Sequence, residues 1–199
     1  MKQVVFIHGG ETFDTYESYV EALRTWKYDP SWEIQRRWKH TLRERLGDDW
    51  QVFTPTMPSK YNAKYLEWLI WFEKILPHLK EGVILIGHSL GGIFLAKYMN
   101  ENELPVQVHA TFLVAAPFDA TDTDFSLADF TLSGSLANLE SRAGTLYLYH
   151  SEDDDVVPFS ALEKYKEHLP KALVRVLTDR GHVLQEEFPE LIEDVRGLK

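Results

Sequence analysis

The chain contains no cysteine. Disulfides, a thiolate nucleophile and cysteine-ligated metal are thereby excluded. No apolar run is long enough to span a bilayer. The run nearest the start, Val4-Val5-Phe6-Ile7, is also too short for a signal peptide, so a cytoplasmic protein is the expectation. Basic residues are scarce: 21 Lys and Arg stand against 31 Asp and Glu, for a formal net charge of −10. Such a surface repels phosphate backbones and anionic lipid, so neither nucleic acid nor a membrane is an expected partner. No basic patch for a highly anionic substrate is visible along the chain. Glycine and proline, at 11 and 9 residues, are too few for a fibrous or low-complexity class. No repeat or linker interrupts the sequence, and residues 1–199 read as one domain.

What is present is apolar and patterned. Hydrophobic residues make up 44% of the chain, enough for a substantial core. Short apolar runs alternate with longer amphipathic segments, the pattern of an α/β protein with a mostly parallel sheet between helices. Six strands are predicted, at Gln3 to Ile7, Gln51 to Thr54, Val83 to Ile86, Ala110 to Ala115, Thr145 to Tyr149 and Leu173 to Leu177. Runs such as VILI and TLYLY are nearly continuous, as in strands covered on both faces.

Helical periodicity fills the gaps. Asp29-Pro30 is a helix start, and Ile34, Trp38, Leu42 and Leu46 give it one stripe. Leu66, Leu69, Phe72, Leu76 and Leu79 form a second stripe. A third helix follows Gly91-Gly92, a fourth carries Leu162, Tyr165 and Leu169, and a last one opens at Pro189. Two stretches fit poorly. Glu11 to Tyr28 is a long connection, and Phe118 to Leu139 is polar, with Asp119, Asp122, Asp124 and Asp129. Long loops of this kind are either lids and binding loops or solvated insertions.

The chemistry is carried by Gly87-His88-Ser89-Leu90-Gly91, a G-x-S-x-G directly after a buried strand and before a helix. A serine hydroxyl is a weak nucleophile and must project where a base and a substrate both reach it. A sharp strand-to-helix turn does this, and the turn leaves no room for side chains two residues either side. The helix that follows aims free N–H groups at developing negative charge. The bare five-residue pattern arises by chance in roughly 5–10% of chains this long. The strand before it and the helix after it set this instance apart. The turn also lacks the lysine and the glycine spacing of the common phosphate-binding loops.

Ser89 needs a base and a group that orients the base, in chain order Ser, acid, His. By order the histidine is His109, His150, His168 or His182, and only His182 lies in the loop after the last strand. The acid belongs in the loop after the fifth strand. There Asp153, Asp154 and Asp155 are adjacent, and residue reasoning alone leaves the choice among them open. The oxyanion hole requires backbone N–H donors. Leu90 supplies one, and the loop His8-Gly9-Gly10-Glu11 the other, from Gly10 with Glu11 as the fallback. No spaced set of ligands accompanies His8, so neither a metal nor a cofactor is expected.

With FIHGG, LIGHSLGG, SEDDDVVPF and the late GH in view, the chain resembles the α/β-hydrolases. It is similar in particular to the small, lidless serine hydrolases of the retinoblastoma-binding-protein-9 and YdeN type. The resemblance implies a three-layer α/β-hydrolase fold with a six-stranded sheet, and strand order 2-1-3-4-5-6 is expected. It implies Ser89, Asp154 and His182 as the triad, because in that family the acid stands four residues before the proline of D-x-V-V-P. It implies hydrolysis of a small-molecule ester or amide through an acyl-enzyme. Acyl transfer to an alcohol or amine would use the same machinery, and a non-catalytic interaction module would use the same fold. One departure is plain. Glu11 to Asp49, with Trp26, Trp32 and Trp38 and with Trp50 just beyond, is longer than the resemblance implies. Those tryptophans read as core or as pocket walls.

Overall fold

Six parallel strands form one sheet in the computed structural model, which describes residues 1–121 and 126–198. Asp122 and Asp124 lie outside the described residues, as does the side chain of Trp32. The strands are β1 (Lys2–Ile7), β2 (Trp50–Phe53), β3 (Val83–His88), β4 (Val108–Val114), β5 (Thr145–Ser151) and β6 (Leu173–Leu177). Their order is β2-β1-β3-β4-β5-β6, as expected. The order reverses between β1 and β3, whose registers pair Val4 with Ile84 and Ile7 with Gly87. Loops leaving the carboxyl ends of these two strands therefore diverge from a single crevice.

The helices are α1 (Tyr16–Thr25), α2 (Ser31–Ile34), α3 (Trp38–Leu46), α4 (Tyr65–Glu73), α5 (Leu90–Glu101), α6 (Ala137–Arg142), α7 (Ser160–His168) and α8 (Pro189–Gly197). Successive strand residues face opposite sides, so the sheet builds two cores. Val5, Ile7 and Leu85 pack with side chains of α4, α5, α6 and α7. Val4, Phe6, Ile84 and Ile86 pack with Trp38, Leu42 and Leu46 of α3 and with Leu191 and Val195 of α8.

The structure corrects three helical expectations. The helix predicted from Asp29-Pro30 through Leu46 is two helices. Asp29 Oδ1 accepts the Ser31 N–H at 2.8 Å and starts α2. Ile34, however, is 83% exposed and finds no core. A single turn without packing does not propagate. The chain extends through Gln35 and Arg37 and begins again at Trp38, where the buried stripe starts. In α4 the inward residues are Tyr65, Trp68 and Phe72, while Leu66 is 62% exposed. The segment YLEWLIWFE is apolar nearly all round, so the largest rings decide which face is buried. Finally, Glu11 to Tyr28 is not all loop, because α1 forms inside it behind a Thr15–Ser18 capping box.

The polar stretch Phe118 to Leu139 is not a solvated insertion over its described residues. Leu127, Phe130, Leu136 and Leu139 are buried. Asp129 accepts the Tyr65 N–H at 3.1 and 3.2 Å, which tethers the stretch to the start of α4.

Candidate active site

Ser89 sits between β3 and α5 with φ 55° and ψ −125°. A non-glycine residue at positive φ is strained, and here the surroundings enforce it. The Ser89 N–H donates to the Val114 carbonyl at 2.8 Å, locking the turn onto β4. A Cβ at Gly91 would lie 2.2 Å from the Ile7 carbonyl oxygen, and one at Gly87 would lie 2.4 Å from the Gly91 carbonyl. Helix α5 thus approaches β1 too closely for a side chain at Gly91, and β3 too closely for one at Gly87.

Asp154 and His182 meet. Asp154, only 9% exposed, places Oδ2 2.9 Å and Oδ1 3.1 Å from His182 Nδ1. Its Oδ1 also accepts the Val156 and Val157 N–H groups, each at 2.9 Å. Burial pushes the Asp154 carboxyl up. The hydrogen bond and charge of His182, together with those two N–H groups, overcome this and hold it below the usual carboxylate value. The carboxylate therefore accepts from Nδ1–H, which leaves Nε2 of His182 as the basic nitrogen. Asp153 and Asp155 are exposed.

Asp153 has a different task that sequence reasoning missed. Its Oδ1 accepts from Ser151 Oγ at 2.5 Å and from the backbone N–H groups of Arg180 at 3.2 Å and Gly181 at 3.0 Å. Two neighbouring aspartates thus hold the histidine loop, one by its backbone and one by its imidazole. His150, also buried, donates from Nε2 to the Val157 carbonyl at 2.8 Å and stays neutral, its pKa lowered by burial.

The histidine loop is clamped on its other side by two ring N–H donors. His88 Nε2 lies 2.9 Å from the His182 carbonyl oxygen, and Trp38 Nε1 donates to the Val183 carbonyl at 2.8 Å. The Trp38 backbone N–H adds a bond to Gln185 at 2.8 Å. Val183 itself sits at φ 53°, which a β-branched residue adopts only under such restraint. The ring of His88 lies 5.0 Å from that of His182, centroid to centroid, so the residue before Ser89 touches His182. Among the described residues no hydrogen bond joins Ser89 Oγ to His182. Trp38→Phe keeps the ring and removes the donor. The expected cost is about 1–3 kcal/mol of stability, the penalty for a buried carbonyl left without its partner. Equilibrium urea unfolding measures it, and an unchanged midpoint refutes the clamp.

His88 is the most perturbed histidine. Burial, aided by repulsion from His182, lowers it from 6.5 to about 3. Between those values the unfolded chain binds a proton that the folded chain refuses, so stability falls as pH drops from 6.5 toward 3. His8 and His150, both lowered by burial, act in the same direction. His88→Gln retains a donor but cannot titrate. Its stability should fall less steeply with acid, by up to one proton in the slope; an identical slope would mean that His88 is already charged in the fold.

The loop after β1 is set by His8. Its Nε2 accepts the Met57 N–H at 2.8 Å, and its Nδ1 bonds the Gly9 carbonyl at 2.6 Å, so both ring nitrogens are engaged within the protein. Gly10 lies against Leu90, where a Cβ would stand 3.4 Å from Leu90 Cδ2. The Glu11 N–H is committed to the Lys60 carbonyl at 2.8 Å, which removes the fallback donor. Leu90 is the first residue of α5, so its N–H has no helical acceptor. Among the described residues the Gly10 N–H has no backbone acceptor either. The basic groups that the sequence scattered do gather here. Lys39 is half-buried and makes no ion pair among the described residues. Burial lowers its pKa, with repulsion from Arg37 and Lys60. A separate cavity of about 570 Å³, lined by Arg43, Phe53, Lys74 and His78 among others, lies along β2 and includes none of these site residues.

Comparison with known proteins fits this arrangement. The chain is 29% identical to the serine hydrolase RBBP9 of Rattus norvegicus over 150 residues, which span 74% of this chain and 77% of that protein. It is 29% identical to YdeN of Bacillus subtilis over 153 residues, 75% of this chain and 80% of the other. The crystal structure of the B. subtilis ydeN product superimposes with a TM-score of 0.79 at 22% identity, covering 100% of this chain and 98% of that one. The meta-cleavage product hydrolase of Pseudomonas fluorescens shares the fold, with a TM-score of 0.70 at 14% identity and coverage of 100% and 90%. The family model described as serine hydrolase matches residues 30–193. With most of its length matched by that model, the chain belongs to the serine hydrolase family.

Proposed function

We propose that the protein cleaves a carboxylic ester or amide of a small molecule through Ser89, His182 and Asp154. The observation that carries this reading is the buried Asp154 carboxylate on His182 Nδ1, with His182 packed on His88, the residue before a serine held in a strained elbow. His182 Nε2 takes the proton from Ser89 Oγ as the oxygen attacks the substrate carbonyl. The hydrogen bond between them closes on substrate binding, as catalytic hydrogen bonds of free enzymes commonly do. The charged imidazole is stabilised by Asp154. The oxyanion is bound by the N–H groups of Leu90 and Gly10. His182 then protonates the leaving group, and an acyl-Ser89 intermediate remains. Water, deprotonated by His182, attacks the acyl carbon; Ser89 leaves with the proton returned, and the acid is released.

The test is labelling with a fluorophosphonate, followed by peptide mapping, alongside hydrolysis of p-nitrophenyl acetate. The expected adduct is on Ser89. An adduct on another serine, or none with no turnover, refutes the assignment.

A further inference from the structure

Residues 15–36 connect two stems that both belong to the candidate site. The first stem is the oxyanion loop. Its Gly9 packs on Ser89, where a Cβ would stand 3.0 Å from the serine Cβ, and its Gly10 lies over the Lys60 carbonyl. Three residues further on, Phe13 opens a line of facing rings. Its centroid lies 5.4 Å from that of Tyr19 and 5.9 Å from that of Trp26. Trp26 in turn lies 6.4 Å from Tyr61. Tyr61 follows Lys60 directly, so the line returns to the carbonyl beneath Gly10. The second stem is Trp38, which holds the Val183 carbonyl in the histidine loop.

Between the stems the segment is attached loosely. Helix α1 buries none of its side chains. The hydrogen bonds of residues 15–35 are local, as in the Thr15–Ser18 cap, the Trp26–Ala22 bond and the Asp29–Ser31 turn. Trp26 and Tyr61 remain 43% and 53% exposed although they face each other. These rings pack edge and face on one another, and with Trp26 and Tyr61 exposed they form an apolar strip that begins three residues from Gly10. Core rings of this chain, such as Trp68 and Phe94, are fully buried.

We infer that the rings of Phe13, Tyr19, Trp26 and Tyr61 seat an extended apolar acyl group whose carbonyl is the one Ser89 attacks. This rests on the hydrolase reading and narrows it to medium-chain acyl substrates. The occupant follows from continuity: Phe13 stands three residues beyond Gly10, whose neighbour Gly9 packs on Ser89, and the ring faces lead outward from there. The Lys60 ammonium covers the Tyr61 ring at 4.6 Å and closes that end of the line. A methylene laid along the exposed faces of such rings leaves water on binding, and each one fully buried raises kcat/KM about fourfold.

The experiment is kcat/KM over p-nitrophenyl acetate, butyrate, hexanoate and octanoate. In the wild type the value should climb along the series. Trp26→Ala and Tyr61→Ala should flatten the climb, read as the ratio of octanoate to acetate. Val176→Ala, at an exposed position on β6, should keep the wild-type ratio. Circular dichroism and thermal melting establish that each variant is folded, and the two ring variants act independently should one fail. An unchanged ratio in both ring variants overturns the inference. So does a wild-type ratio near one. Sedimentation shows whether the rings instead cover a second copy: a dimer that dissociates on Trp26→Ala with the chain-length ratio intact refutes an acyl seat. A flat series with Ser89-dependent acetate turnover removes the acyl seat alone. Absence of Ser89 labelling removes the hydrolase reading beneath it.

Discussion

Ser89→Ala should lower kcat on the order of 10⁵- to 10⁶-fold and abolish fluorophosphonate labelling, while the fold persists. Alanine keeps the Cβ and therefore the strain at φ 55°. Ser89→Gly removes the Cβ, and the two inactive variants should then differ in stability. Releasing a residue from a sparsely populated backbone region is worth about 1–3 kcal/mol, and the extra freedom of glycine in the unfolded chain returns about 0.5–1 kcal/mol. The expected net gain of Ser89→Gly over Ser89→Ala is about 1 kcal/mol, or about 2–4 °C in melting temperature for a chain of this size. Equal melting temperatures would mean that the elbow stores no strain. A Ser89→Ala protein that still turns over at the wild-type rate would place the nucleophile elsewhere.

Asp154→Asn should cost about 10⁴-fold in kcat with little change in fold. The side-chain oxygen of asparagine can still accept from Val156 and Val157. Its NH₂ would then face His182 Nδ1 and donate to it. The imidazole would be forced into the tautomer that carries its proton on Nε2, where no base remains. Its neighbours provide the comparison. Asp155, exposed, should be replaceable by asparagine with no more than about a twofold effect, in line with a surface position away from any specific contact. Asp153→Ala frees the Gly181 N–H, leaves the Arg180 N–H only its bond to Ser151 Oγ, and lets the histidine loop drift, so a loss of about 10- to 100-fold is expected from misplacement alone. The three variants assayed side by side on one ester give a steep order, Asp154 first, Asp153 second and Asp155 last. Full turnover in Asp154→Asn would mean that the acid is misassigned.

The sheet was readable because strands buried on both faces are written as unbroken apolar runs, and the elbow because its glycines answer to backbone contacts within a few residues. Other features are decided by distant parts of the chain. Asp153, Asp154 and Asp155 are chemically identical, and which one turns inward depends on Val156, Val157 and a loop some 28 residues further on. Residue order alone left that choice open; the family resemblance pointed to Asp154, and the geometry places its carboxylate on His182. The stripe Ile34, Trp38, Leu42 and Leu46 was periodic, yet only its last three residues find a core to face. Sequence likewise could not show that Trp38 would spend its N–H on the histidine loop. Helix α1 was not readable either, because its exposed positions leave no clean apolar period.

The Trp38–Val183 bond joins residues 145 positions apart. The His88–His182 contact joins residues 94 positions apart. Closing such distances early in folding costs entropy before any contact repays it. Helices and the central strands have nearer partners. During refolding, the polarised histidine should therefore be among the last groups to reach its place. Helical signal and a collapsed core would return first, and the capacity to react with an acyl group would lag behind them in time.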